Sequence, residues 1–194
     1  MSVARLGFWT LSALGFGVLM VLGSAATFRL DDWDFVVNRS LGDPTSWMIP
    51  FNEQWLAVPV VIFRVLFEAV GMHSYLPYLA VLLIAHLATA FAVFRIISRL
   101  SGEFPALLAG TVVIFLGVSG ENLHHAFQIS TVLATACGVL AIDALALRNR
   151  PAVAAGLLLV AVASHAIGAV FLGVSVVVAI ASERRALPWL ILPL

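Results

Sequence analysis

Residues 6–28 carry no charge at all, and comparable apolar runs recur along the rest of the chain. A bilayer crossing needs about 20 such residues. Hydrocarbon offers no water to backbone N–H and C=O groups, so segments of this kind close their hydrogen bonds internally as helices. The composition agrees: 62% of residues are hydrophobic, 10% are charged and the mean hydropathy is +1.10. Soluble domains carry roughly 25% charged residues. The expected fold is therefore all-α, a polytopic transmembrane helical bundle. The formal net charge is zero, which gives no argument for nucleic acid as a partner, and all ten basic residues are arginine. The single cysteine, Cys137, lies in an apolar run and excludes a disulfide framework.

Taken in order, the chain opens with a span over 6–28, preceded by Arg5. Ser24-Ala25-Ala26 resembles a signal-peptidase site, but the long apolar run and weakly basic start favour an uncleaved anchor with a cytoplasmic N-terminus. A polar, extracytoplasmic loop follows over 29–74. Within it, 56–72 carries Arg64 and Glu68 four residues apart, on one helix face where they can pair. A mid-bilayer arginine costs about 2.5–3.5 kcal/mol on insertion scales, so this segment is read as an interfacial helix that does not span. Spans are expected over 75–97, 104–118 and 123–147. Residues 151–182 lack charge but are too long for one straight span, about 48 Å against a core of about 30 Å. They are read as a short helical hairpin with His165 near its tip. A further span begins at 186 and is cut short at Leu194, which suggests the N-terminal part of a longer protein.

This topology places Arg5, Arg95, Arg99, Arg148, Arg150, Arg184 and Arg185 on the cytoplasmic face, with Glu103 and Glu183. Arg29, Arg39 and Arg64 fall outside, among Asp31, Asp32, Asp34, Asp43, Glu53, Glu68 and Glu121. The asymmetry is what the positive-inside rule asks for in a cytoplasmic membrane.

Residues 29–55 hold five of the ten acidic residues and three of the five tryptophans. Asp31-Asp32-Trp33-Asp34 comes directly after the first span. Carboxylates fixed at the lipid–water boundary can accept a proton or hold a divalent cation; they can also simply mark the outer end of a helix. Asn52-Glu53-Gln54-Trp55 closes the polar stretch and reads either as site or as a helix start with a tryptophan at headgroup level. Trp33 and Trp47 suit interface anchors, although aromatic faces also pack on sugars. Glu121, His124, His125 and Gln128 are spaced i, i+3, i+4, i+7 and on a helix would form one polar stripe at the outer end of the fourth span. Such a stripe should face a wet cavity or protein. No third ligand accompanies the two histidines, so zinc is not expected there. His73, His86 and His165 stand alone, and His165 could line a cavity. There is no P-loop, dinucleotide fingerprint or nucleophile motif.

The order of these features resembles the GT-C superfamily of membrane glycosyltransferases, which includes protein O-mannosyltransferases, aminoarabinose transferases and mycobacterial arabinosyltransferases. The residues that carry the likeness are Asp31-Asp32 after the first span and, more loosely, Asn52-Glu53-Gln54-Trp55 and Gly120-Glu121-Asn122. The resemblance implies a transferase moving a hexose or pentose from a polyprenyl-phosphate donor to a hydroxyl of a glycan, lipid or protein, outside the membrane and with inversion. By that likeness Asp31 would be the general base, with Asp32 supporting it or taking its place. Trp33, Asp34, Asn52, Glu53, Trp55, Glu121, His124, His125 and Gln128 would bind substrate, and Glu53 and Glu121 would help position the acceptor or a metal. Two other classes remain: a transporter or transporter half, whose polar residues would line a path, and a non-catalytic membrane assembly subunit. Polarity gathered on one membrane face, rather than at the midplane, argues against transport.

Overall fold

In a computed structural model of the chain, residues 2–116 and 123–182 are described, and their regular structure is helical. The helices are α1 Val3–Leu22, α2 Leu30–Val37, α3 Pro44–Met48, α4 Ala57–Val70, α5 Leu76–Leu100, α6 Glu103–Ile114, α7 Ile129–Ile142, α8 Pro151–Val162 and α9 Ile167–Ser182. A 3₁₀ turn at Gly23–Ala25 extends α1. A 3₁₀ turn at Ala126–Gln128 and a π turn at Asp143–Leu147 extend α7 at its two ends. Three continuous helical stretches are long and apolar enough to cross a membrane: Val3–Ala25, Leu76–Leu100 and Ala126–Leu147.

The directions of these three follow from contacts at their ends. Phe8 near the start of α1 stacks on Phe94 near the end of α5, with ring centroids 4.6 Å apart. The other end of α1 meets the beginning of α5, where Gly23 abuts Leu79. α1 and α5 are therefore antiparallel. α5 and α7 run the same way. The Tyr75 hydroxyl accepts a hydrogen bond from the Ala126 N–H at 2.5 Å, and Arg99 donates to the Leu147 carbonyl at 2.6 Å. α6 packs beside α1 and α5. Gly110 is needed at that crossing, because a Cβ there would lie 2.9 Å from the Phe8 ring.

α8 and α9 form the expected pair of short helices, joined through Ser164 and His165. They approach closely at the turn. A Cβ on Gly168 would collide with the Ala161 carbonyl, so only glycine fits. The tip is tied to the start of α4 by a hydrogen bond from the Val58 N–H to the Ala163 carbonyl, 3.1 Å.

Two sequence expectations need correction. α6 ends at Ile114, where Phe115 leaves helical geometry (φ −104°, ψ 29°), instead of reaching 118. At about 18 Å it is not long enough to cross alone. The helix expected from 123 does not run unbroken either, because His125 is extended (φ −113°, ψ 109°) and regular α-helix starts only at Ile129. The Ala126 N–H, which would otherwise bond within a helix, goes to Tyr75 instead. Glu121, Glu183, Arg184, Arg185 and the stretch from 186 lie outside the described residues.

α4 is 14 residues long, about 21 Å. Its inward face carries Pro59, Val60, Phe63 and Arg64. Arg64 makes the expected pair with Glu68 at 2.7 Å and also donates to the Val36 carbonyl at 2.6 Å, which clamps α4 to the end of α2. Its guanidinium lies over the Phe67 ring. The core beneath the polar loop is aromatic: Phe35, Phe63 and Tyr78 pack with centroids about 5 Å apart.

Candidate functional site

On α2, residues 32, 35 and 36 fall on one face, and all three are buried. Asp32 is carried inward with the apolar pair Phe35 and Val36 and is completely inaccessible. Its Oδ2 accepts the Arg29 N–H at 2.9 Å, which closes the first turn of α2. The same oxygen accepts the Tyr75 O–H at 3.3 Å, and Oδ1 stands 3.7 Å from His125 Nε2. One carboxylate thus ties α2 to the start of α5 and, through Tyr75 and Ala126, to the segment entering α7. Asp31, on the neighbouring face, is half-buried and takes no part in these ties.

Burial pushes the Asp32 carboxyl above its ordinary range, while the Arg29 N–H, the nearby His125 and the Tyr75 hydroxyl pull it back. Between the unfolded carboxyl value of 3.8 and the raised folded value, the native state holds the proton and the unfolded chain releases it. Stability from this group falls as pH rises through that window, and the penalty is fully present above it. We therefore expect Asp32→Asn, which keeps an acceptor for Arg29 and removes the charge, to melt at or above the parent protein at neutral pH. Its melting should also vary less with pH. Asp32→Ala should lose about 1–3 kcal/mol, because buried donors are left unpaired. Thermal melts in detergent from about pH 4 to 8 check this. Equal losses in both variants would mean that an ionised Asp32–His125 pair is the stabilising species.

Asp34 turns away from this centre. Its Oδ2 takes Arg39 Nε and Nη2 at 3.1 and 2.9 Å, and Oδ1 takes the Asn38 amide at 2.8 Å. Arg39 is buried and also donates to the Ser46 and Ile49 carbonyls, 2.7 and 2.6 Å, holding α3 in place. Asp43 caps α3 through the Thr45 N–H, 3.0 Å, and Trp47 Nε1 donates to the Ser40 carbonyl. Trp33 is 46% exposed and meets neither group. The acidic run is thus divided among separate partners. Among the described residues no three His, Cys, Asp or Glu side chains converge as cation ligands would. The described acidic residues, each with its own partners, do not form a divalent-cation site.

Asn52 and Glu53 both have left-handed backbone, φ +48° and +63°, at the centre of a tight turn. Phe51 and Gln54 close it with reciprocal backbone hydrogen bonds of 2.9 and 3.0 Å. Asparagine tolerates this region; glutamate is strained there. The turn leaves Glu53 exposed and brings Gln54 partly inward. Beside it lies a small cavity of about 110 Å³, lined by Asn52, Gln54, Gln128, Thr131 and His165 among others. Gln54 Oε1, Trp55 Nε1 and His124 Nε2 are buried without a hydrogen-bond partner among the described residues. Amides, a hydroxyl and an imidazole in one recess can exchange hydrogen bonds with a polyol.

The expected stripe is therefore split. His125 reaches Asp32, Gln128 lines the small cavity, and neither Asp31 nor Asp32 lines it. His124 sits against Gly23 at the end of α1. Tyr75, Arg39 and the inward role of Gln54 were not anticipated. The available signals were the placement of Tyr75 immediately before Leu76-Pro77 and an arginine five residues after Asp34. Comparison with family models, curated proteins and solved structures finds no match to this chain.

Proposed function

We propose that the chain carries the acceptor-activating part of a GT-C-like membrane glycosyltransferase, with Asp31 as general base. The observation that carries the reading is the division of labour in the acidic pair: Asp32 is fully buried and tied to three segments, while its neighbour stays half-exposed at the start of α2. A residue held this way is positioned without being occupied in holding the fold. In the proposed reaction Asp31 takes the proton of an acceptor hydroxyl as its oxygen bonds to the anomeric carbon of a polyprenyl-phosphate sugar. The bond from that carbon to the phosphate oxygen breaks, and polyprenyl phosphate leaves with the electron pair. One displacement inverts the centre and needs no second carboxylate nucleophile. The recess at Asn52, Gln54 and Gln128 would hold hydroxyls of the sugar or acceptor. The test is transfer from polyprenyl-phosphate mannose and polyprenyl-phosphate arabinose by the intact membrane-embedded protein, with and without Asp31. Absence of any transfer from either donor class, with the protein folded, would sink the reading.

The proposal includes a topology: a multi-pass protein of the cytoplasmic membrane, with α2–α4 outside and the N-terminus inside. Its support is that Tyr75 and Arg95 are separated by about 30 Å of helix, a hydrocarbon thickness. The acidic cluster is at one end, and Arg5, Arg95, Arg99 and Arg148 are at the other. In a Cys137→Ala background, an impermeant maleimide added outside should label Thr45→Cys and leave Ser101→Cys unmodified. Labelling at 101 from outside would reverse the assignment.

A further inference from the structure

At the end of the bundle opposite Asp31, the start of α1 and the end of α5 enclose a pocket of about 300 Å³. Its polar lining includes Arg5, Arg95, Arg99 and Arg148. Two carboxylates answer these four charges: Glu103 lies 3.0 Å from Arg5, and Asp143 pairs with Arg95 and stands 3.5 Å from Arg148. Among the described residues the pocket is left two positive charges in surplus. Each guanidinium has five N–H donors. Arg99 directs one to the Leu147 carbonyl and Arg5 one towards Glu103, so most donors remain for an added oxyanion. The rest of the lining is largely aromatic. Trp9 is 51% exposed, its ring lies 5.4 Å from Phe91, and the Arg95 guanidinium covers Phe91 at 5.3 Å. One helical turn beyond Trp9, an open apolar trough runs along α1 past Ala13 and Gly17.

We infer that this pocket binds the phosphate headgroup of an anionic phospholipid, with an acyl chain passing Trp9 into the trough. Phosphate suits clustered arginines because their planar forks match its oxygens. The apolar surface next along α1 favours a lipid over a soluble phosphate, which would have no use for it. Basic recesses at helix ends on the arginine-rich face of a membrane protein are where such headgroups are held. The site is separate from the proposed catalytic end and stands whether or not sugar transfer is found.

Trp9 reports on the site directly. The intact protein is placed in nanodiscs containing brominated phosphatidylglycerol or brominated phosphatidylcholine at equal mole fraction. The Trp9 contribution is isolated by comparison with Trp9→Phe. The anionic phosphatidylglycerol should quench Trp9 more strongly than the zwitterionic phosphatidylcholine, and Arg99→Gln/Arg148→Gln should weaken that association roughly tenfold. Arg99→Lys/Arg148→Lys should retain most of it. In the unaltered protein the preference should shrink as salt rises from about 0.05 M to about 0.5 M, a measurement that needs no variant to fold. Equal quenching by the two lipids, or a preference indifferent to salt, overturns the proposal. A saturable response of Trp9 to inorganic phosphate in lipid-free detergent would assign the pocket to a soluble phosphate species and overturn it equally.

Discussion

Asp31→Asn should lower sugar transfer by about 100-fold or more, within the range for loss of a general base, and leave insertion and melting unchanged. A hundredfold corresponds to about 2.7 kcal/mol of transition-state free energy. Asparagine occupies the same volume but does not accept the acceptor's proton. The fold should not register the change, because α2 is held through its other acidic residues: Asp32 to Arg29 and Tyr75, and Asp34 to Arg39. Asp32→Asn serves as the comparison. It alters a buried positioning residue, so it should change melting behaviour and reduce transfer less than Asp31→Asn. Measured as initial rates with polyprenyl-phosphate mannose or arabinose in membranes, the two variants separate the roles. If Asp31→Asn keeps full activity while Asp32→Asn loses it, the base assignment within the pair is wrong.

The sequence alone leaves Asp31 and Asp32 interchangeable as base, although a signal for which one faces inward is present. Phe35 and Val36 lie three and four residues after Asp32, and on a helix those positions share a face. Apolar residues at 35 and 36 therefore bury position 32 and turn 31 aside. The three long helices were legible because long apolar runs bordered by arginine leave little choice in a bilayer. The break at His125 was not legible. Residues 121, 124, 125 and 128 have helical spacing, and spacing is all that a local reading can use. What breaks the helix is a partner 51 residues away, the Tyr75 hydroxyl that takes the Ala126 N–H. The acidic run misled in a related way. Three carboxylates in four residues look like one site, but Asp32 and Asp34 have separate partners on different sides of α2. The Asn52–Glu53 turn lies between these extremes. Its residues stood out as a polar interruption, but the left-handed backbone at both depends on the pairing of Phe51 with Gln54.

The largest loss of stability should follow Asp143→Ala, at the arginine-rich end of the bundle. Asp143 is 2% exposed and begins the π turn that closes α7. It pairs with Arg95 of α5, and Arg148 approaches the same oxygen at 3.5 Å. Removing the carboxylate leaves the Arg95 and Arg148 guanidiniums near each other without the counter-charge they share. Breaking a buried ion pair from one side costs about 3–5 kcal/mol. The Arg95 side chain is 17% exposed and lies against Phe91, so part of its charge can find water or the ring. The lower end, about 3 kcal/mol, is the expected loss. Removing the partner as well should recover much of it, because the cost lies in the stranded charge more than in the pair. Arg95→Leu/Asp143→Leu should therefore be less destabilised than the sum of its single variants, a coupling that a double-mutant cycle in detergent unfolding measures directly. Asp143→Ala within about 0.5 kcal/mol of the parent would show that α5 and α7 are held at this end by the Arg99–Leu147 hydrogen bond and by packing, with the ion pair solvated and nearly neutral in effect.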